Sequence, residues 1–162
     1  MSAHPFKETS VSAQENDLLL ERQLCFGLSV ASRSVIAAYK PVLAKLSLTH
    51  PQYLVMLALW EQAPRQVKDI GAALLLEPAT LSPLLKRLEV LGYVSRHRSA
   101  EDHRALAVDL TPAGAALRGK ALSVPGTMMA RLGLDRESAM ALHHSMMALI
   151  EAATRVDAMA DN

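Results

Sequence analysis

The sequence has 162 residues, of which 51% are hydrophobic, 4% aromatic and 20% charged, and its formal net charge is +1. This length fits one domain of ordinary size, and no apolar run reaches the roughly 18 residues that a membrane-spanning helix needs, so we expect no membrane partner. Because the net charge is close to zero, it excludes neither nucleic acid nor protein as a partner, and any electrostatic argument must be local.

Residues 1–15 mix Ser, His, Pro, Lys and Glu without periodicity, which predicts a frayed tail before a single domain over residues 16–162. The tail has no basic region followed by an apolar one, so we expect no export. The single cysteine, Cys25, has no partner in the chain for a disulfide, which favours a reducing cytoplasm and leaves a free thiol to explain.

The first predicted helix covers residues 16–38, with Asn16 as its N-cap, and a short second helix covers residues 41–46. Thr49-His50-Pro51-Gln52 is a strong helix start, because it combines a Thr cap, a proline in the first turn and a Gln three residues after the cap. The helix that follows, residues 53–62, is apolar nearly all round, which predicts that it is buried.

Ala63-Pro64 breaks the chain, and we predict two shorter helices over residues 67–75 and 79–91. In the second, leucines recur at helical spacing and are expected to face the core, and Gly92 is the expected helix end. These leucines are Leu81, Leu84, Leu85, Leu88 and Leu91.

After this helix the pattern changes to two short strands, residues 93–96 and 105–110, joined by a polar loop that suits a hairpin. Thr111-Pro112 then restarts a helix, Pro125-Gly126 interrupts it, and Asp135 caps a last helix to about residue 159.

A short helix pair followed directly by a hairpin is the arrangement of a winged helix-turn-helix. We therefore predict a mainly α fold with a small β-hairpin. Residues 47–111 are expected to form the winged helix-turn-helix, and residues 16–46 and 112–159 to form dimerisation helices.

The helix over residues 79–91 has the composition of a helix that reads DNA. With its leucines inward, the opposite face carries small and hydroxyl side chains near its start and basic ones further along. Slim side chains can approach base edges in the major groove, and Lys or Arg can contact the phosphates. The residues expected at DNA are Thr80, Ser82, Pro83, Lys86 and Arg87. The alternative is a plain amphipathic helix with a solvated polar face.

The predicted hairpin, or wing, adds a second candidate contact. Residues 86–104 hold five Lys or Arg against three acids, and Arg96 and Arg98 of this set are also expected to contact DNA. Asp102 stands two residues before Arg104 and can brace its guanidinium through charge-assisted hydrogen bonds. A braced Arg at a hairpin tip suits insertion into the minor groove. The alternative is a surface ion pair worth under about 1 kcal/mol.

The last predicted helix carries more apolar side chains than one stripe can bury. They are Met140, Leu142, Met146, Met147, Leu149 and Ile150. Together with the first helix they would leave an apolar patch exposed on a monomer, which predicts a symmetric homodimer. Two copies would match a pseudo-palindromic double-stranded DNA operator. The alternative is that these side chains cap the monomer's own core.

The role of Cys25 is open from the residues alone. It shares a helical stripe with Leu18, Leu28 and Ser32, and it stands too far from the predicted helix start for the positive end of the helix dipole to act on it. A buried free cysteine that acts as a small hydrophobe is the commoner state.

The sequence lacks the motifs of the common catalytic and cofactor sites. It has no Gly-rich phosphate loop, no GxSxG and no HExxH motif, and the adjacent His143 and His144 point to different helix faces. We therefore expect neither an enzyme nor a bound metal or other cofactor.

Several segments carry a likeness to a known family: LERQLCF at residues 20–26, YKP at 39–41, PQYLVMLALWE at 51–61, VKDIG at 67–71, TLSPLLKRLE at 80–89 and EDHR at 101–104. With them the sequence resembles the MarR family of bacterial repressors, and the first three segments resemble its organic hydroperoxide resistance regulators. The likeness runs from about residue 17 to 152, and the cysteine segment is its most specific part. The resemblance implies a dimer that represses the gene of a peroxide-reducing enzyme.

The resemblance also implies a role for Cys25, whose oxidation by an organic hydroperoxide would release the DNA. In that family two tyrosines of the partner subunit hydrogen-bond the reactive sulfur, and Tyr39 matches one of them, whereas His50 occupies the position of the other. A histidine can donate the same hydrogen bond, and a protonated one favours a thiolate more strongly than a phenol does. Since an ordinary histidine titrates near pH 6.5, the sensor would then depend on pH.

The chain has no second cysteine, so the resemblance implies the one-cysteine type of regulator. In this type the sulfenic acid goes on to a mixed disulfide with a small-molecule thiol or to over-oxidation.

Two other interpretations stay open. In one, the chain binds DNA but its inducer is a small aromatic or anionic ligand held between the dimerisation and DNA-binding regions, with Cys25 uninvolved. In the other, the chain is an all-helical interaction protein that does not bind nucleic acid.

Overall fold

The computed structural model of this chain describes residues 17–98 and 105–160. Contacts divide the chain into two compact units, Met1–Ala37 and Ala38–Asn162. The predicted tail, residues 1–15, lies outside the described residues, and the predicted domain boundaries stay predictions.

The described residues form a mainly helical fold with a small three-stranded antiparallel sheet, which confirms the predicted fold class. The helices are α1 (Leu24–Ala44), α2 (His50–Glu61), α3 (Val67–Leu74), α4 (Pro78–Val90), α5 (Pro112–Ala121), α6 (Val124–Leu132) and α7 (Arg136–Ala160). The strands are β1 (Arg65–Gln66), β2 (Val94–Arg98) and β3 (Leu106–Leu110). None of the helices in the described ranges has both the length and the hydropathy that a membrane crossing requires.

The prediction for the first helix is wrong at both ends. A 3₁₀ turn over Leu20–Arg22 precedes α1, and the first turn of α1 is closed by the Gly27 N–H, which donates to the Gln23 carbonyl at 3.1 Å. No break occurs at Pro41, which lies inside α1. Pro41 is exposed and lies in the last turn, so the single backbone hydrogen bond that it removes does not end the helix.

Helix α2 begins at the capping box that the sequence predicts. The Thr49 N–H donates to Oε1 of Gln52 at 2.9 Å, and the Gln52 N–H donates back to Oγ1 of Thr49 at 3.5 Å. Half of its twelve residues are buried, including Tyr53, Met56 and Leu59, whereas Leu57 is 41% exposed, so the helix is buried on one side and not nearly all round as expected.

Helices α3 and α4 form the predicted helix-turn-helix. In α4, Leu81, Leu85 and Leu88 are at most 1% exposed and belong to the core. Leu84 is half-buried and packs against this core, whereas Leu91 is 41% exposed, so its predicted place in the core is wrong.

The end of α4 is closed by backbone hydrogen bonds around Gly92, whose φ is +75°. The Gly92 N–H donates to the Glu89 carbonyl at 2.9 Å, and the Tyr93 N–H donates to the Leu88 carbonyl at 3.0 Å. This Schellman arrangement needs a left-handed residue at Gly92, which confirms the predicted helix stop.

The sheet has the order β1-β3-β2, with β3 in the centre. Val94 lies opposite Leu110 and Arg96 opposite Val108, which confirms the predicted hairpin. The two-residue strand β1, which pairs Arg65 with Val108, was not predicted, because two residues carry no alternating pattern.

The C-terminal helices begin close to their predicted signals. Oγ1 of Thr111 accepts from the Gly114 N–H at 3.0 Å and caps α5, and Oδ1 of Asp135 accepts from the Ser138 N–H at 2.7 Å before α7. The interruption falls before Pro125 rather than at it, because this proline occupies the first turn of α6.

Helix α7 is exposed within the chain. Over residues 136–156 none of its side chains is fully buried, so its apolar residues do not cap the core of this unit. The exposed large apolar side chains are Met140, Leu142, Met146, Met147, Ile150 and Val156.

The start of α5 lies directly against the chain that joins α4 to β2. A Cβ atom on Gly114 would lie 1.9 Å from the Tyr93 carbonyl oxygen, so only glycine fits at this position. The Gly114 carbonyl in turn accepts from Nε1 of Trp60 at 2.9 Å, and the Tyr93 hydroxyl donates to the Leu46 carbonyl at 3.2 Å. These contacts tie α2, α5 and the residue before β2 together.

We predict that Gly114→Ala lowers the free energy of unfolding by about 3 kcal/mol, because the backbone atoms that the new Cβ meets cannot rotate away. Chemical denaturation at a fixed protein concentration measures it. Gly119→Ala is the matched control on the same helix: nothing lies within 4 Å of its Cβ position, so it should raise stability by about 0.5–1 kcal/mol. Equal effects of the two substitutions would contradict the close approach.

Candidate nucleic-acid interface and redox residues

The outward face of α4 carries the side chains predicted to meet DNA. Thr80, Ser82, Pro83, Lys86 and Arg87 are all exposed, and the buried leucines of α4 hold the opposite face against the core. Hydroxyl groups therefore lie in the first half of the helix and cations in the second. This is the order that base-edge and phosphate contacts require.

The wing side of the candidate interface is described in part. Arg98, the last residue of β2, is exposed. Asp102 and Arg104, the predicted pair at the tip, lie outside the described residues.

Arg96, in the middle of β2, has a partner on the helix. Its Nε and Nη2 donate to Oε2 of Glu89 on α4, at 3.0 and 2.5 Å. The Arg96 hydrogen bond holds the pKa of the Glu89 carboxyl below its ordinary value. The structure thus gives the Arg96 guanidinium a contact within the protein, which the sequence analysis did not foresee.

Cys25 is a free, exposed cysteine in the first turn of α1. The helix begins at residue 24 and not near Asn16, so the predicted distance from the helix start is wrong.

Tyr39 and His50, the two residues matched to the sensor environment, contact each other in the second unit. Their ring centroids are 5.2 Å apart in an edge-to-face arrangement with an interplanar angle of 62°. Tyr53 lies 6.2 Å from Tyr39, and Trp60 lies 6.3 Å from Tyr53, so an aromatic row continues into the core.

Tyr53 and Trp60 were not among the site residues predicted from the sequence. A signal was present, because the chain has only three Tyr and one Trp, and Tyr39, Tyr53 and Trp60 fall within 22 residues of one another.

Burial lowers the pKa of His50 below its ordinary value of 6.5, so the structure favours the neutral ring at pH 7. A neutral imidazole still offers one N–H donor and one acceptor. Burial also raises the pKa of Tyr53, with a further contribution from Tyr39, so the Tyr53 phenol keeps its proton at neutral pH.

An open cavity of about 380 Å³ lies beside the inner end of the aromatic row. Its lining includes Tyr53, Leu57, Trp60 and Glu61 of α2 and, further along the chain, Arg118. Among the described residues, no group of three or more His, Cys, Asp or Glu side chains is placed to hold a metal ion.

Comparison with known proteins places this arrangement in a family. A family profile described as transcriptional regulator SarA/Rot matches residues 37–118, which is half of the chain. The chain is also 48% identical over 119 residues to an organic hydroperoxide resistance transcriptional regulator of Bacillus subtilis (strain 168), covering 74% of this chain and 79% of that protein. The chain belongs to the MarR family of winged-helix transcriptional regulators.

Solved structures agree with this membership. AbfR of Staphylococcus epidermidis, in its reduced form bound to DNA, is 31% identical with a TM-score of 0.71 and covers 86% of this chain and 99% of its own. AbfR has also been solved over-oxidised and bound to DNA, and in a disulfide-formed state. MarR shares the fold, with a TM-score of 0.64 at 22% identity over 79% of this chain and 95% of its own.

Membership of the MarR family confirms that the chain is a regulator and not an enzyme. It also confirms the resemblance to the organic hydroperoxide branch and, with one cysteine in the sequence, the one-cysteine type. The roles of the individual site residues stay predictions.

We predict that His50 of this MarR-family chain titrates below pH 6.5, because its ring is partly buried. The unfolded chain then binds this proton more readily than the folded one. The stability contribution of His50 is therefore full above pH 6.5 and declines as the pH falls below it. NMR titration of the imidazole resonances, assigned with His50→Asn, measures the midpoint, and a midpoint at or above 6.5 would show that burial does not control the ring.

Proposed function

We propose that this chain is a DNA-binding transcriptional repressor that senses organic hydroperoxides by oxidation of Cys25 and then releases its operator. The observation that carries the DNA-binding part is the outward face of α4, with hydroxyls first and cations after, held by a buried leucine face. Thr80, Ser82 and Pro83 would approach base edges, and Lys86 and Arg87 would contact phosphates.

On the wing, Arg98 would contact the DNA backbone, and Asp102 would brace Arg104 in the minor groove. The exposed apolar side chains of α7 support a homodimer, whose two-fold symmetry suits a pseudo-palindromic operator. The DNA-bound structures of the relative AbfR support the same partner. We place the chain in the cytoplasm, where both DNA and reducing thiols are found.

The redox part of the proposal rests on an exposed thiol in the first turn of α1. The Cys25 thiolate attacks the outer oxygen of the hydroperoxide, the O–O bond breaks, and the leaving alkoxide takes a proton to become an alcohol. The sulfur loses two electrons and becomes a sulfenic acid. A small-molecule thiol then forms a mixed disulfide with Cys25 and releases water. Tyr39 and His50 are proposed as hydrogen-bond donors to the partner subunit's sulfur.

The first test compares the wild type with Cys25→Ser by fluorescence anisotropy on DNA from upstream of the protein's own gene. Both should bind when reduced, and an organic hydroperoxide should release only the wild type, because serine cannot form a sulfenic acid. Release of both proteins, or of neither, would remove Cys25 as the sensor.

The second test addresses the DNA contact of Lys86. Lys86→Ala should weaken binding to all DNA sequences alike and reduce the slope of log affinity against log salt by about 0.9 per subunit, or about 1.8 for a bound dimer, because each subunit loses one phosphate contact. Lys120→Ala removes the same charge from an exposed position on α5 and should leave the slope unchanged. If both variants reduce the slope equally, the effect is one of net charge and not of the α4 face.

A second candidate function has its own observation. The cavity beside Trp60 has aromatic walls and is lined by one cation, Arg118, and one carboxylate, Glu61. A small aromatic anion that pairs with Arg118 would suit it as inducer. Calorimetry with benzoate-type anions tests this candidate. Release of DNA by such an anion, unchanged in Cys25→Ser, would favour it over hydroperoxide sensing.

A further inference from the structure

The ion pair between Glu89 and Arg96 joins the DNA-reading helix candidate to the wing. Both guanidinium bonds end on the same carboxylate oxygen, and the side chains of Arg96 and Glu89 are 27% and 38% exposed. Two charge-assisted bonds from a planar group fix direction as well as distance. The pair is therefore less exposed than the Arg155–Glu151 pair within α7, whose side chains are 67% and 71% exposed.

The ion pair attaches the wing to α4 at a point of the chain beyond the end of the helix. Strand β2 leaves α4 through Gly92, where the backbone hydrogen bonds of the helix end hold the chain, and Val94 is then buried in the core. Side chains two residues apart share a strand face, so Arg96 follows Val94 on the side that meets α4. The pair thus attaches β2 to the helix about 7 Å further along the strand than Val94 does.

A winged helix has to place its helix and its hairpin on DNA at the same time. If the hairpin turned about the Gly92 junction, either the α4 face or the wing would miss its groove. In addition, a guanidinium that already bonds a carboxylate is partly neutralised and attracts a phosphate less strongly.

We infer that Glu89 and Arg96 form a brace that fixes the wing against α4, and that Arg96 is a positioning residue for the DNA-reading surface rather than a phosphate contact. This inference rests on the proposed DNA binding. It assigns Glu89, an acid at a surface expected to be basic, a favourable part in operator recognition.

The brace and simple electrostatics predict opposite changes in operator affinity for Glu89→Gln. Loss of a negative charge near DNA should tighten binding if charge alone matters. Loss of the brace should instead weaken operator binding by about tenfold, whereas binding to unrelated DNA should become no weaker, because non-specific binding depends on charge and phosphate contacts. Glu61→Gln on α2 is the charge-matched control and should leave both affinities unchanged.

The exchanged pair, Glu89→Arg with Arg96→Glu, provides the rescue. It keeps the net charge and restores an ion pair between α4 and β2, so operator affinity should return to within a factor of about three of wild type. Arg96→Glu alone should lose operator affinity. Thermal unfolding of each variant at the same protein concentration checks that the loss of affinity is not loss of fold.

The results separate the inference from the function on which it rests. If the wild type binds no DNA, the proposed function fails. If the wild type binds and Glu89→Gln binds its operator equally well or better, the brace is wrong. If Arg96→Gln reduces the salt slope by about 0.9 per subunit, or about 1.8 for a bound dimer, and the exchanged pair does not restore operator affinity, Arg96 contacts a phosphate, and the brace is again wrong.

Discussion

The burial of three leucines of α4 fixes which side chains of this helix are presented to a binding partner. Leu81, Leu85 and Leu88 are packed into the core with almost no exposed surface, and a helix has no freedom to rotate about its axis once one face is fixed in this way. Its hydroxyl and basic residues are therefore presented outward in one orientation. A DNA-reading surface needs such rigidity, because a side chain displaced by an ångström no longer meets its base edge.

The same core supports the wing through a few short connections. The chain turns at Gly92 and passes under α5, where Gly114 allows the helix to touch the Tyr93 carbonyl. The Tyr93 hydroxyl also donates to the carbonyl of Leu46, just after α1, and Nε1 of Trp60 donates to the Gly114 carbonyl. A change in the position of α2 or α5 would therefore reach Tyr93, the residue before β2, through the backbone contact with Gly114 and the hydrogen bond of Trp60.

Local signals could be predicted from the sequence, whereas contacts between distant residues could not. The caps at Thr49, Thr111 and Asp135 and the glycine stop at residue 92 depend on neighbours within a few positions, and each lies where its residues indicate. The helix break predicted at Pro41 does not occur, because a proline breaks a helix only where its missing hydrogen bond is needed. The Glu89–Arg96 pair joins a helix to a strand, and periodicity within either element carries no information about that contact.

The resemblance predicts a tyrosine at the position of His50. At neutral pH the histidine differs from it in hydrogen bonding but not in charge. Burial keeps the ring uncharged, so His50 cannot act on a nearby sulfur as a cation would, and only its hydrogen bond is left to compare with that of a phenol. A phenol donates its proton in a single way, but a neutral imidazole has two tautomers, and the proposed hydrogen bond to the sulfur would form only when the nitrogen facing it carries the hydrogen. The edge-to-face contact with Tyr39 restrains the orientation of the ring. In the proposed sensor the histidine would therefore serve as a neutral donor, and any charge-dependent effect would be confined to pH values below the ordinary titration of a histidine.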